Sequence, residues 1–462
     1  MVTRRKFLQF SGIAATALVA AACGTVQTAP AAEEPAMEEK EAPKEAAQEA
    51  PAKEVQKLSI HSYGNAAVLE RYVRVLGVFN ETFAGEYEAE ATITPFAEYN
   101  PKLISQITAG VPPDVWNLWA QFKSNYVERG IVLDITDRVK ASATASLDHY
   151  VQPMHEAMSY QGRIWGTAQD FNGTLIYLNL TIFQNAGLEL PAEGWTMDDL
   201  RDIAKRTVNP EENIWGGKNL ANNTGSDNFA VMWNYGQHFW VDDDQAKSLV
   251  NSPAAVAMYN IYQEMAFADR SMPSAANPQA QGLGSHQGYY ATWDAWGNEP
   301  WWINFRNEGN VPFEWQAHTY PAGPMDQKHF SQGHLWSIAE SHPDHDTAWF
   351  LAEWIGGIEG WKQWVALGQG QPLPVSDRAL WEQYYSFLEP DKAQIQTDFM
   401  LERMYNGLAF NFQYWPTYGD CSGIMREAHQ VIFGESPGEV KSNLDEAAKR
   451  MTAVLEEYKS KT

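Results

Sequence analysis

Cysteine is scarce in this chain, which has only two, Cys23 and Cys421, among 462 residues. Two cysteines cannot build a disulfide scaffold or a four-cysteine zinc site, so both classes of small stabilised domain are excluded. A lone cysteine in a folded body is more often a small buried apolar residue than a nucleophile. We therefore predict that Cys421 is buried and that it has no catalytic role.

Basic residues are also few, with 33 Lys and Arg against 58 Asp and Glu, which gives a net charge of −25. This excess of negative charge repels phosphate backbones and argues against nucleic acid as a partner. The hydrophobic fraction is 44%, which is enough for a large core and excludes a disordered chain. A chain of this length predicts two or more domains.

Aromatic residues are abundant, with 19 Trp, 20 Tyr and 20 Phe. Such residues contribute large rigid apolar surfaces, either to a core or to a binding site. The tryptophan content is the feature of the composition that most needs an explanation.

The N-terminus has the pattern of an export signal. Two arginines, Arg4 and Arg5, precede an apolar run over residues 13–22, which is too short to span a bilayer permanently. The arginine pair resembles a twin-arginine signal, and residues 19–23 (VAAAC) resemble a bacterial lipobox. We therefore predict a signal over residues 1–23 and lipidation of Cys23.

Residues 24–56 consist mostly of Ala, Pro, Glu and Lys, without any aromatic residue. Such a segment cannot bury enough apolar surface to offset its ordering entropy. We predict a disordered acidic tether between a membrane anchor and a globular body.

The body begins with alternating strand and helix patterns. Residues 57–63, 88–95 and 114–119 have strand patterns, while residues 69–83 and 103–107 have helical spacing. This β-α-β-α-β order predicts an α/β domain with a largely parallel sheet and helices on both faces. Ligands of such sheets bind at the carboxyl ends of the strands.

The C-terminal region predicts a long amphipathic helix. Apolar residues step by four and three positions from Val440 to Tyr458, which is too short a run for a coiled coil. We expect this helix to pack along the body.

Several motifs together resemble one known family. Short motifs occur in the family's order at residues 109–115 (AGVPPDV), 126–135 (YVERGIVLDI), 160–166 (YQGRIWG), 175–188 (LIYLNLTIFQNAGL), 194–200 (GWTMDDL), 333–339 (GHLWSIA), 348–355 (AWFLAEWI) and 370–375 (GQPLPV). They are similar to those of extracellular solute-binding protein family 1, the carbohydrate-type receptors of ABC importers, to which maltose-binding protein belongs. The resemblance covers residues 57–462.

The resemblance implies the two-lobed periplasmic-binding-protein fold of type II, with the ligand between two α/β lobes. The first lobe would comprise residues 57–168 and 319–367, and the second residues 169–318 and 368–462. Segments near residues 167–172 and 318–324 would cross between the lobes and act as hinges.

Sugar recognition requires flat aromatic faces for the C–H side of a ring, and amides or carboxylates for its hydroxyl rim. Both types are common in the regions that the resemblance places at the cleft. Plain core packing remains the alternative for each tryptophan, and it is the preferred one for Trp349, Trp354, Trp361 and Trp364. The candidate ligand-binding residues are Tyr63, Trp119, Gln121, Asp170, Asn172, Asn223, Trp233, Trp293, Asp294, Trp296, Trp415 and Tyr418.

Other functions fit the sequence less well than this one. A glycoside hydrolase would need two carboxylates at one bond, such as Asp170 with Asp294 or Glu299, but no motif singles out a pair. Residues 342–346 (HPDHD) could suggest a metal, although a helix start capped by Asp344 or Asp346 explains them better. A phosphate ligand would favour Lys or Arg in the cleft loops, which are neutral or acidic in the sequence.

The sequence thus predicts a solute receptor rather than an enzyme, without cofactor or metal. It would bind a mono- or oligosaccharide as a monomer, deliver it to the transmembrane subunits of an ABC permease, and be held outside the cytoplasm by lipid on Cys23. The alternatives are the same fold with a polyol phosphate, peptide or ferric complex as ligand, a secreted hydrolase, and a surface adhesion protein.

Overall fold

The computed structural model describes residues 54–218, 232–236, 240–242, 244–280, 282–368, 373–412 and 414–461. The predicted signal, Cys23, nearly all of the predicted tether and Asn223 lie outside the described residues. Within the described ranges, every helix is too short or too polar to span a lipid bilayer.

The body begins with the predicted alternation of strands and helices. The elements are β1 (Gln56–Tyr63), α1 (Ala66–Thr82), β2 (Tyr87–Thr94), α2 (Phe96–Thr108) and β3 (Val115–Leu118). The predicted β-α-β-α-β order is therefore confirmed, with element ends that differ by only a few residues.

The turn between β1 and α1 is sharp and places Tyr63 at the end of its strand. Asn65 caps α1 by accepting hydrogen bonds from the N–H groups of Ala67 and Val68, at 3.1 and 3.2 Å. Gly64 has a φ of +148°, and a Cβ there would lie 2.7 Å from that of Val68. Only glycine fits this position without displacing the helix.

The sheet is mixed rather than largely parallel. The strands β2, β1 and β3 pair in parallel, so their carboxyl ends meet at one edge. Next to β3 lies β10 (His329–Ser337), which is antiparallel both to β3 and to the 13-residue strand β6 (Thr167–Asn179). The prediction of a parallel sheet is correct for the first three strands and wrong for these two.

The second half of β6 forms a different part of the sheet. It pairs antiparallel with β8 (Tyr290–Trp296) on one side and with β9 (Trp315–His318) on the other. The strand β7 (Trp215–Lys218) runs parallel to β8, and β11 (Ala409–Asn411) runs parallel to β10. The single strand β6 thus connects two groups of strands.

Helices cover these strands, and a short hairpin of β4 (Ser159–Tyr160) and β5 (Arg163–Ile164) lies beside them. Wider π-helical turns occupy Glu264–Ala268 and Phe399–Leu408. The remaining helices are α3 (Ala120–Glu128), α4 (Thr136–Ala141), α5 (Gln152–Met158), α6 (Leu180–Asn185), α7 (Met197–Thr207), α8 (Pro253–Gln263), α9 (Glu299–Arg306), α10 (His345–Gly356), α11 (Ile358–Ala366), α12 (Arg378–Tyr384), α13 (Pro390–Asp398), α14 (Tyr418–Ile432) and α15 (Val440–Lys461).

Two hydrophobic cores hold these layers together. The first surrounds β1, β3, α10 and α11, and includes the fully buried Trp361. The second lies under α7, α8, α14 and α15 and includes Cys421, which is fully buried as predicted. The long C-terminal helix is confirmed as α15. The residues at which the chain was predicted to change lobes stay a prediction.

Candidate functional site

Two predicted ligand residues meet where the parallel strands end. The rings of Tyr63, at the end of β1, and Trp119, just after β3, have centroids 4.6 Å apart in an edge-to-face arrangement. Phe96 stacks on Trp119 at 4.1 Å, and 61% of its surface is exposed. Phe96 was not among the predicted residues, yet it presents the most open aromatic ring of this group.

A carboxylate and an imidazole lie beside these rings. The Oδ1 atom of Asp170 on β6 accepts hydrogen bonds from the backbone N–H of His334 at 3.0 Å and from its Nδ1 at 2.7 Å. The His334 ring lies 6.5 Å from that of Tyr63. His334 was missed from the sequence, although it belongs to the motif at residues 333–339.

An irregularity in the pairing of β6 and β10 accompanies this contact. The register shifts between His334 and Leu335, so that Gln169 is an extra residue between Ala168 and Asp170. Such bulges bend a strand and redirect the next side chain. The bulge therefore helps to set the direction of Asp170, which is 8% exposed.

The electrostatics of this region keep Tyr63 neutral. Burial raises the pKa of its hydroxyl well above the usual range, Asp170 raises it further, and Arg71 opposes the shift. A neutral phenol can both donate and accept hydrogen bonds, which suits contact with hydroxyl groups.

Asn172, two residues after Asp170, holds the turn that follows β8. Its Oδ1 accepts the Gly297 N–H at 2.8 Å, and its Nδ2 donates to Asn298 Oδ1 at 3.3 Å. Opposite Asn172 on β10, Gln332 accepts a 2.6 Å hydrogen bond from the Tyr414 hydroxyl. The middle of β6 is thus fixed to elements on both sides.

A second aromatic group contains four predicted residues. Trp233 stacks on Phe410 at 4.1 Å, and Phe330 contacts both Phe410 and Trp296 at 6.1 and 6.0 Å. The ring centroids of Trp415 and Tyr418 lie 5.2 Å apart. Three phenylalanines that were not predicted join these pairs: Phe330, Phe410 and Phe412.

Trp293 occupies a different place from the one predicted. It is fully buried, stacks on Tyr177 at 5.6 Å and meets Phe313 at 5.9 Å. Its strand register explains this position, because Trp293 pairs directly with Tyr177 on β6. Trp293 therefore packs as a core residue.

Asp294 and Gln121 complete the predicted set within the described residues. Asp294 lies opposite Ile176 on β6 and is 5% exposed. Gln121 is half-buried in the first turn of α3.

The histidine-aspartate motif at residues 342–346 has a structural role. Asp344 caps α10, accepting from the Thr347 N–H at 3.0 Å and from its hydroxyl at 2.7 Å. His342 Nε2 lies 3.2 Å from Asp114 Oδ1, and Asp114 also accepts the Ser59 N–H. The predicted helix cap is confirmed at Asp344.

A cavity of about 740 Å³ opens between α1 and α9. Three arginines and one glutamate line it, and all four lie on the helices α1 and α9 rather than on the predicted cleft loops. Asn65 and Val68, which follow Tyr63 at the start of α1, also line the cavity. Its principal lining residues are Glu70, Arg71, Arg74, Trp301, Phe305 and Arg306.

Solved structures share this fold. An ABC substrate-binding protein from Listeria monocytogenes, in complex with cycloalternan, superposes with a TM-score of 0.72 at 16% identity, covering 87% of this chain and 99% of that one. Maltose-bound MalE3 of T. maritima superposes with a TM-score of 0.68 at 17% sequence identity, and the match covers 87% of this chain and 100% of MalE3. A solute-binding protein from Agrobacterium radiobacter in complex with ribitol superposes with a TM-score of 0.69 at 18% sequence identity, and the match covers 88% of this chain and 100% of that one. The predicted two-lobed binding-protein fold is confirmed.

The sequence itself matches a family model. No significant match exists among curated protein sequences. The model described as bacterial extracellular solute-binding protein matches residues 78–383, which is more than half of the chain. The chain therefore belongs to the bacterial extracellular solute-binding proteins, which act outside the cytoplasm.

Proposed function

We propose that this protein is the receptor of an ABC importer, and that it binds a carbohydrate and delivers it to the permease without changing it chemically. The observation that carries the proposal is the Asp170–His334 pair beside the rings of Tyr63, Trp119 and Phe96. A carboxylate and an imidazole can bind a hydroxyl rim, while an open aromatic ring covers the apolar face of a sugar.

The ligands of structurally similar proteins support this assignment. The three structures compared above contain cycloalternan, ribitol and maltose, which are all rich in hydroxyl groups. A ligand closes two lobes only through its greater affinity for the closed state. The closed receptor would then dock on the permease, whose ATPases supply the energy.

The proposal includes a membrane anchor and a monomeric state. Lipid on Cys23 would hold the receptor at the outer face of the cell membrane, as a periplasmic or cell-surface lipoprotein. The acidic segment over residues 24–56 would act as the tether, with a coil length of roughly 30 Å.

The test is calorimetric titration of the mature protein with a panel of neutral and acidic mono- and oligosaccharides. Phe96→Ala removes the exposed ring, and we expect the best ligand to bind about tenfold more weakly, because stacking area is lost. Intrinsic tryptophan fluorescence should change on binding, since Trp119 contacts Phe96.

Ile395→Ala is the matched control. Like Phe96, Ile395 is an exposed apolar residue, with 56% of its surface exposed, but it lies on α13 and outside the site. It should bind like the wild type. The absence of binding to any sugar in the panel would contradict the proposal, and release of monosaccharide from a glycoside would instead favour the hydrolase.

A further inference from the structure

The cavity between α1 and α9 is positively charged in a strongly acidic protein. Arg71, Arg74 and Arg306 line it together with one carboxylate, Glu70, which gives a local charge of 3 − 1 = +2. The whole chain has a net charge of −25. A concave surface of the minority sign concentrates ligands of the opposite charge.

Arg71 is the residue that distinguishes this cavity from an ordinary charged surface. Its side chain is half-buried, and no hydrogen bond or ion pair joins it to another residue in the described ranges. Arg74, one helical turn later, instead pairs with Glu70 at 2.5 Å. A partly desolvated guanidinium without a partner has five donors available for an oxyanion.

The field of Arg71 reaches into the interior. Burial raises the pKa values of Tyr63, Tyr72 and Tyr384, and the charge of Arg71 acts against that rise in all three. The Tyr384 side chain itself lines the cavity. The charge of Arg71 therefore opposes, but does not overcome, the effect of burial on these tyrosines.

Flat aromatic surfaces lie on the opposite wall. Trp301 and Phe305 on α9 stack almost in parallel, with ring centroids 4.8 Å apart and planes 9° apart. Phe305 is 60% exposed, and Trp301 donates to the Gly368 carbonyl at 3.3 Å. This hydrogen bond holds Trp301 against the segment after α11. The guanidinium of Arg306 lies 5.2 Å from the Trp302 ring.

We propose that the cavity receives an acidic sugar unit, whose carboxylate or phosphate pairs with Arg71 and whose ring packs against the exposed Phe305 of the Trp301–Phe305 stack. The inference rests on the proposed function, since it specifies the substrate class of the same receptor. The volume lies in the range of roughly 300–1,000 Å³ that small-molecule sites occupy. Arg71 supplies the charge, and the aromatic wall supplies the apolar face that a sugar needs.

The test compares three probes by calorimetry: digalacturonate, glucose 6-phosphate and neutral maltose. We expect at least one acidic probe to bind about tenfold or more tightly than maltose, because a charge-assisted pair adds to ring contact. The affinity of that acidic probe should decrease when the salt concentration rises from about 20 to about 300 mM, because the Debye length shortens and the charges are screened. Tighter binding of digalacturonate would identify a carboxylate as the group that pairs with Arg71, and tighter binding of glucose 6-phosphate would identify a phosphate.

Arg71→Gln should weaken acidic binding by about tenfold and leave maltose unaffected. Arg71→Lys keeps the positive charge but loses the planar guanidinium with its parallel N–H donors, so it should retain part of the preference for acidic probes. Arg138→Gln, which removes a half-buried arginine that pairs with the exposed Asp346 and does not line the cavity, is the matched control and should change nothing. Thermal melting of each variant checks that it is folded.

If maltose binds as tightly as the acidic probes and Arg71→Gln has no effect, the inference is overturned while the receptor function stands. If no probe and no sugar of the wider panel binds, both the function and the inference fail.

Discussion

His329 in β10 is a buried histidine whose hydrogen bonds fit the neutral ring. Its Nδ1 donates to the Thr174 carbonyl at 3.0 Å, and its Nε2 accepts the Tyr320 N–H at 3.2 Å. A second proton on the ring would turn the acceptor into a donor and break the contact with Tyr320. Burial lowers the pKa of His329 to about 4.

We expect this histidine to make the protein less stable in mild acid. The pKa is 6.5 for the ordinary group and about 4 in the fold, so the unfolded chain binds more protons between these values. The free energy of unfolding should therefore fall as the pH drops from 7.5 to 5, by about 2 kcal/mol from His329. Urea unfolding at the two pH values measures the loss.

His329→Gln should reduce this loss by the same amount, because its amide does not titrate. The histidines at positions 61 and 429, whose pKa values burial also lowers to about 4, should continue to contribute. His149→Gln, at a half-buried site, is the control. An acid-induced loss as large in His329→Gln as in the wild type would contradict the assignment.

Single residues show what sequence patterns can and cannot identify. Residue type and strand position predicted that Tyr63, Trp119 and Asp170 lie at one edge of the sheet, and the structure brings them close together; their role in binding stays a prediction. The burial of Trp293 could not be predicted, because both neighbours of its strand are distant in sequence. The place of Arg71 in a cavity had no local signal either, because the facing helix α9 is distant in sequence.

At the scale of elements, local patterns were sufficient for the first five elements and for the C-terminal helix. Hydrophobic periodicity reports which face of a segment is buried, and these segments have one clear face. It does not report the direction of a distant partner strand. The antiparallel pairing of β10 with β3 and β6 therefore had no local signal, although it brings His334 to Asp170.

One contact joins α3 to the C-terminal helix. Glu128, at the end of α3, accepts hydrogen bonds from the Tyr160 hydroxyl at 2.6 Å and from the Tyr458 hydroxyl of α15 at 2.5 Å. Asn125 of α3 also donates to the Pro416 carbonyl at 3.4 Å. In the predicted division α3 belongs to the first lobe, whereas α15 and Pro416 belong to the second.

We expect Tyr458→Phe to shorten the lifetime of the sugar complex. It removes one hydrogen bond to a carboxylate, worth about 1–2 kcal/mol, so the dissociation rate should rise several-fold. Stopped-flow fluorescence with the best sugar measures that rate.

Tyr160→Phe is the matched control for this contact, because it deletes a hydroxyl from the same carboxylate without touching α15. It should leave the dissociation rate near that of the wild type. Equal rates in Tyr458→Phe and the wild type would show that this hydrogen bond does not slow the release of the sugar.

At the scale of the whole molecule, acidity is shared between the predicted tether and the body. Residues 24–56 contain eight Glu and three Lys, which contributes −5 of the total of −25. The rest belongs to the signal and body together, so the positive cavity lies in a domain that is itself acidic.

We expect the two cysteines to differ completely in their effect on location. Cys23→Ala removes the predicted lipid acceptor, so the protein should leave the membrane fraction and appear in the soluble extracytoplasmic fraction. One acyl chain gives only weak anchoring and two give stable anchoring, so loss of the modified cysteine should release nearly all of the protein. Fractionation followed by immunodetection measures this distribution.

Cys421→Ala is the matched control, because Cys421 is buried in the second core and out of reach of lipid-transfer enzymes. This variant should stay in the membrane fraction, and its sugar affinity should equal that of released Cys23→Ala. Retention of Cys23→Ala at the membrane would mean that another segment anchors the protein. The lipobox would then be an uncleaved part of the chain, and the tether would begin elsewhere.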